Sequence, residues 1–359
     1  MNNVKPNTAG HELQAMLPHS PDAYPQALDV IGGRVLVIRM DAHAYRAASF
    51  LDDRILGPDT RGAWMPGAVV AQAARQVADP RPLHFIFHTG HVGSTLVSRL
   101  LDETGMLLSL REPLPLRTLA DAHDVVTAPE SLLSEAQFDA LLDMLQTLWS
   151  RGYDWTRGVI LKATSSAGRA AGPLLLARPL SRAIYLNVRA EPYLATLLGG
   201  ANSAADLRGH GPGRMRRLQR RTGAPPAPLH SLSIGELAAL GWLVETLSQR
   251  DAVQHFPDRV LALDFDELLA DVAAGLERVL AHFGLPRDAR FFAGIGRSPV
   301  LQRYSKAPEV PFPQGERAAR LLDSRRQNRA EIRRGLAWLD KLARADSSVA
   351  AVMAAAGSP

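Results

Sequence analysis

The sequence predicts an α/β fold with an open parallel sheet, and three observations carry that expectation. From Pro82 onward, short apolar runs alternate with longer helical stretches, the pattern that βαβ units write. The helical stretches show apolar stripes at the 3.6-residue period. Over the 359 residues, 46% are hydrophobic and 21% charged, which excludes a disordered chain, a collagen and a simple coiled coil.

Residues 1–80 are punctuated by Pro and Gly and read as an N-terminal extension, with one strand at Arg34–Met40 and a short helical pattern ending near Val77. Residues 81–345 read as the α/β domain. Its strands are expected at Leu83–Phe87, Leu107–Leu110, Val159–Lys162, Ala183–Val188 and Val260–Leu263. A helix is marked at Glu236–Leu247, where Leu237, Leu240, Val244 and Leu247 share a face and Ser233 with Glu236 forms a capping pattern. Leu268, Val272, Leu276, Val279 and Phe283 form a second stripe, closed by Gly284 and Pro286; Ile332, Leu336 and Leu339 form a third. Between Arg208 and Arg221 six arginines occur with no carboxylate, followed by Gly223, Pro225 and Pro226, so this stretch is expected to be a basic loop or lid. Residues 346–359 are expected to fray as a tail.

Zero cysteines exclude disulfides, thiol nucleophiles and Cys-based metal sites. The net charge of +5 suits an anionic ligand as well as nucleic acid. The arginine stretch lacks interleaved aromatics, so no nucleic-acid partner is expected. Only Lys5, Lys162, Lys306 and Lys341 are lysines, so a lysine at a strand end stands out. No run approaches the ~18 apolar residues of a membrane span and the start lacks a signal-peptide pattern, so the expectation is a cytoplasmic protein without a membrane partner. His84 and His88 lie four apart on one strand, roughly 13 Å, too far to share an ion, and no metal is expected.

The chemistry concentrates in LHFIFHTGHVGSTLVSRLLDE, residues 83–103, a strand, a Gly-containing turn and a helix. A helix start leaves backbone N–H groups unpaired and carries partial positive charge, so a turn wrapped over it can cradle a phosphate-like anion. Gly90 and Gly93 would let the backbone approach, and Ser94 and Thr95 offer hydroxyls; the other reading is an ordinary βα turn. The loop is shorter than a Walker motif and has no lysine before the hydroxyl, which argues against ATP or GTP hydrolysis, although Asp264 at the end of VLALD looks like a magnesium-binding strand end. Asp266 is expected to cap the helix that follows.

HTGHVGSTLVSRLL, followed by LSLREPLPL and by Arg189 ahead of Pro192, resembles the sulfotransferase family in a layout spanning roughly Pro82 to Leu342. The resemblance implies a P-loop-like three-layer αβα domain that transfers a sulfuryl group from 3′-phosphoadenosine 5′-phosphosulfate (PAPS) to a hydroxyl or amine, with no metal required. It implies that His91, Val92, Gly93, Ser94 and Thr95 hold the 5′-phosphosulfate together with Gly90, and that Glu112, just past the second strand, is the base. The family usually has Lys or Arg where this chain has His91, so the resemblance implies that His91, if protonated, is the catalytic group that stabilises charge on the bridging oxygen; the other reading is a histidine that covers the turn. Glu112 could instead help a helix begin, and Arg111 could pair with it or touch substrate. Lys162 ends the third strand, as an anion or leaving-group contact or as a solvated lysine. The family's 3′-phosphate site implies Arg189 with a later hydroxyl, for which Thr196 and Ser203 are candidates, and Arg303–Lys306 is similar to the basic segment that closes over the nucleotide. The acceptor is expected to be a small molecule or glycan, and oligomeric state is left open. A P-loop kinase or NTPase and a non-catalytic nucleotide-binding relative are the rival readings.

Overall fold

A computed structural model of the chain describes residues 8–200, 203–223 and 227–357. The N-terminal region is more elaborate than one strand. Helix α1 (Thr8–Met16) precedes β1 (Ala23–Asp29), β2 (Arg34–Arg39), α2 (Ala42–Ala47), β3 (Gly62–Pro66) and α3 (Gly67–Ala74), and the strands form an antiparallel sheet in the order β1-β2-β3. Pro25 and a register shift between Pro25 and Ala27 obscure β1 in the sequence, and β3 is five residues bounded by Gly62 and Pro66.

All five expected central strands are present: β4 (Leu83–His88), β5 (Leu107–Arg111), β6 (Gly158–Lys162), β7 (Ala183–Asn187) and β8 (Val260–Asp264). They form one parallel sheet in the order β5-β6-β4-β7-β8. Alternate residues feed two cores. Phe85, Phe87, Leu161 and Tyr185 face one, shared with the N-terminal region, α5 (Leu114–His123), α6 (Glu135–Trp149) and α7 (Ala171–Ala177). Ile86, Ile160, Ile184 and Leu186 face the other, against α4 (Ser94–Asp102), α8 (Ala190–Leu198), α9 (Ser203–Thr222) and α10 (Ile234–His255). The result is a mixed α/β fold of three layers, helix, parallel sheet, helix.

The capping box at Ser233 and Glu236 opens α10. The second apolar stripe is divided into α11 (Phe265–Ala270) and α12 (Val272–Phe283), the latter ended by Gly284 at φ 70°. Helix α13 (Ala289–Ile295) leads to a small hairpin of β9 (Arg303–Tyr304) and β10 (Ala307–Pro311), then α14 (Glu316–Gln327), α15 (Arg329–Ala345) and α16 (Ser347–Gly357). The expected tail is α16, whose Val349 and Val352 are buried in the second core. The expected basic loop is a helix: Leu207, Gly211, Met215 and Leu218 of α9 form its buried stripe. Its residues 224–226 beyond lie outside the described residues. Among the described residues no helix is long and apolar enough to cross a membrane.

Candidate functional site

Because the five strands are parallel, their carboxyl ends gather at one edge. The connection after β4 leads to β5 on one side and that after β7 to β8 on the other, so the gap between β4 and β7 is a topological switch point, where open α/β sheets hold ligands. The Gly90–Thr95 loop occupies it.

The loop is held by its neighbours. The Thr89 N–H donates to the Leu186 carbonyl (3.1 Å) and its hydroxyl to Asn187 Oδ1 (3.1 Å), fixing it to β7. His88 Nδ1 accepts from the Gly90 N–H (3.1 Å), so Nε2 carries the proton and donates to the Ala163 carbonyl (2.8 Å). Burial, and then Lys162, holds its pKa well below the usual histidine value, so His88 is a neutral strut. Gly90, His91 and Gly93 all have positive φ (102°, 54° and 68°), which curls the chain over the start of α4. A Cβ on Gly93 would lie 1.9 Å from the Phe265 ring, so only glycine fits there. Val92 is buried beneath the loop. Ser94 and Thr95 open α4, and the buried Thr95 Oγ1 has no hydrogen-bond partner. An orphaned hydroxyl beside unpaired helix-start N–H groups fits an anion.

His91 is exposed on one side and hemmed in by the cleft on the other. Lost hydration, then Lys306 and Arg214, outweigh the pull of Glu112 and take its pKa down to about 4. The ring is therefore neutral at pH 7, not the imidazolium that a charge-stabilising catalytic role would need.

Glu112 and Lys162 form an ion pair at the ends of β5 and β6. Lys162 is fully buried rather than a solvated lysine, and burial lowers its pKa against the support of Glu112. The Glu112 N–H donates to the Lys162 carbonyl (2.6 Å), and Glu112 has φ 52°, a left-handed conformation rare for a non-glycine residue. It does not cap α5: the N-cap is Pro113, with no side-chain cap. Arg111 turns away from it. Fully buried, it pairs with Asp102 and donates to Ser98 Oγ (3.0 Å) and to the Tyr45 and Ala48 carbonyls (3.0 and 2.9 Å), tying the N-terminal region to the sheet.

The remaining candidates separate. Lys306, half-buried in the β9–β10 turn, is near enough to depress His91, His88 and Lys162, and Arg99 of α4 pins that turn by donating to the Ser305 carbonyl (2.8 Å). Arg303 is exposed, aimed at the Glu309 carbonyl (3.5 Å). Arg189 is exposed at the N-cap of α8, three residues past Leu186 on the same sheet edge. The Thr196 hydroxyl is spent on the Pro192 carbonyl (2.8 Å) within α8. Ser203 opens α9 beyond the far end of α8, a helix roughly 13 Å long, and is not brought to the loop.

Asp264 does not present itself as a metal ligand. It accepts from the Asp266 and Glu267 N–H groups (2.7 and 3.1 Å) as the N-cap of α11, the role expected of Asp266, which pairs instead with Arg317 (2.6 Å). It is also two strands from β4, roughly 10 Å. His84 stacks on Phe283 and accepts from the Arg182 N–H (3.2 Å), a packing role.

Two rim residues escaped the sequence. The Tyr193 hydroxyl lies 3.6 Å from where a Gly90 Cβ would be, and Arg214 of α9 lies 3.2 Å from the Cβ position of Gly241 in α10, beside that same hydroxyl. Glycine inside a helix is unfavourable, so Gly241 in α10 marks a close approach, the one available signal. An open groove lined by Met40, Ala44, Ala48 and Ile55 gathers none of these charged groups, so the chemistry locates the site at the loop.

Neither a protein-family model nor a curated protein matches the chain. Among solved structures it is similar to a sulfotransferase domain from the curacin biosynthetic pathway, at 16% identity over 65% of this chain and 84% of that one, with a TM-score of 0.35. It is also similar to sulfotransferase STF9 from Mycobacterium avium, at 13% identity over 91% of this chain and 97% of that one, with a TM-score of 0.37. The chemistry of the cleft is carried by this chain's own residues.

Proposed function

We propose that the chain is a sulfotransferase that moves a sulfuryl group from PAPS to a hydroxyl or amine of a small-molecule or glycan acceptor. The observation that carries this reading is the ion pair of buried Lys162 with partly buried Glu112, standing beside a strand-turn-helix anion cradle whose Thr95 hydroxyl is unpaired. PAPS supplies the sulfuryl group and departs as adenosine 3′,5′-bisphosphate. The Gly90–Thr95 loop, with neutral His91 and the N–H groups at the start of α4, would hold the 5′ end. Glu112 takes the proton of the acceptor as its oxygen or nitrogen forms a bond to sulfur. The electron pair of the broken S–O bond stays on the phosphate oxygen, and Lys162 and Lys306 oppose that charge. Arg189 and the Arg303–Lys306 hairpin are assigned to the rest of the nucleotide.

The rival kinase or NTPase reading needs a cation near the β/γ-phosphates and a free acidic strand end, whereas the loop has no lysine before Ser94 and Asp264 is engaged as a cap. Calorimetric titration decides between them. Adenosine 3′,5′-bisphosphate is expected to bind and ATP with Mg²⁺ to bind weakly and not turn over; the reverse order overturns the reading. Glu112→Gln is expected to keep bisphosphate affinity and lose at least ~100-fold in transfer of labelled sulfate, the scale of a lost general base. A variant as active as the wild type removes Glu112 from the chemistry.

A further inference from the structure

We infer that Arg117 selects acceptors bearing an anionic group, in the first instance a carboxylate. This rests on the transfer reading above and adds the class of acceptor to it.

Several charges around the cleft already have partners. Lys162 takes Glu112, Arg54 takes Asp52 through two nitrogens (2.8 and 2.5 Å), and Glu245, fully buried on α10, takes Arg217. Arg117, like Lys306 on the donor side, has none: half-buried, it makes no ion pair or hydrogen bond among the described residues. Its planar fork is left free to match a carboxylate bidentately.

Its position follows from the backbone. Helix α5 begins two residues after Glu112, and Arg117 lies one turn into it. The Leu114 N–H donates to the Leu51 carbonyl (3.2 Å), which sets the 3₁₀ turn at Asp53–Ile55 against the start of α5. At the other end, Arg220 of α9 donates to the Asp124 carbonyl (2.6 Å). Arg117 therefore stands in the gap between the N-terminal region and α9, and it is felt electrostatically by Asp52 on one wall and His210 on the other. The donor cradle belongs to β4, two strand spacings or roughly 10 Å from β5, so Arg117 is on the acceptor side of Glu112. An acceptor hydroxyl at Glu112 with an anionic group one helical turn further out would satisfy both residues.

The test uses matched acceptor pairs, phenol with 4-hydroxybenzoate and an alkyl glucoside with the corresponding glucuronide, and labelled sulfate from PAPS. The wild type is expected to favour the carboxylate member of at least one pair about 10- to 100-fold in kcat/KM, the range of a charge-assisted hydrogen bond. Arg117→Gln is expected to bring that ratio close to one, chiefly through KM, with Arg117→Lys restoring part of it and adenosine 3′,5′-bisphosphate affinity unchanged. Melting midpoints check that the variants fold. No preference in the wild type, no transfer to any carboxylate member, an equal loss for both members of a pair, or weakened bisphosphate binding in Arg117→Gln would each overturn the inference. Failure of the wild type to bind the bisphosphate would instead remove the donor reading, and the inference with it.

Discussion

At the scale of single residues, the site departs from ordinary backbone and hydrogen-bonding practice where the chemistry is assigned. His91 and Glu112 are the non-glycine residues with positive φ among the described residues, and such conformations persist only where surrounding contacts hold them. Thr95 adds a buried hydroxyl without a partner. Leaving a buried hydroxyl unpaired costs about 1–3 kcal/mol, and an anion that accepts from it removes that cost on binding. Thr95→Val keeps the shape and deletes the orphan. It is expected to raise the unfolding free energy of the free chain by about 1 kcal/mol in urea while weakening adenosine 3′,5′-bisphosphate roughly 10-fold by calorimetry. Loss of stability with bisphosphate affinity unchanged would mean that the hydroxyl serves the fold rather than a ligand.

At the scale of elements, what could be read from the sequence depended on whether an element's own residues dictate it. The central strands were legible because parallel strands are covered on both faces and become short apolar runs, and the loop and Glu112 were legible because they directly follow such runs. Helix α9 was not: Gly209, Gly211, Pro212 and Gly213 lie in its middle, and its arginines resemble solvated loop. Tyr193 and Arg214 reach the rim through tertiary packing alone, from positions about 100 residues or more beyond the loop. What keeps α9 helical lies on another element. Glu245, fully buried, receives Arg217 and stands 4.0 Å from Arg214, so α10 supplies the charge that α9 needs. Removing one partner of a buried ion pair leaves the other uncompensated, at about 3–5 kcal/mol. Glu245→Gln is therefore expected to destabilise the chain on that scale and to expose α9 to trypsin at Arg208–Arg221 before the rest of the chain is cut. Unchanged tryptic kinetics would show that the apolar stripe alone holds the helix.

At the scale of the whole molecule, the N-terminal region and the α/β layers share one core and are joined by buried arginines donating to carbonyls. Arg151, after α6, reaches Leu17 and Ser20 (both 2.6 Å) and Ala23 (2.8 Å), while Arg111 reaches α2 from β5. Such a body is expected to unfold as a unit, and its acid limit is set by histidines held neutral inside it. Burial, followed by Arg182 and His282, takes the His84 pKa down to about 4, and His88 lies well below its usual value. In the unfolded chain both titrate near 6.5. Between pH 6.5 and 4 the unfolded state thus binds more protons than the folded one, so stability falls as pH falls through that window and is insensitive to these groups above pH 7. His84 alone accounts for about 3 kcal/mol across the window, a slope of about 1.4 kcal/mol per pH unit near pH 5, and His88 and His91 act in the same direction. Because His88 also accepts the Gly90 N–H, its protonation would break the bond that shapes the anion loop. Urea denaturation at pH 5, 6 and 7 measures the slope. His84→Phe, which keeps a ring against Phe283, is expected to lower that slope by about 1 kcal/mol per pH unit, and a slope unaltered by the substitution would place the acid sensitivity elsewhere.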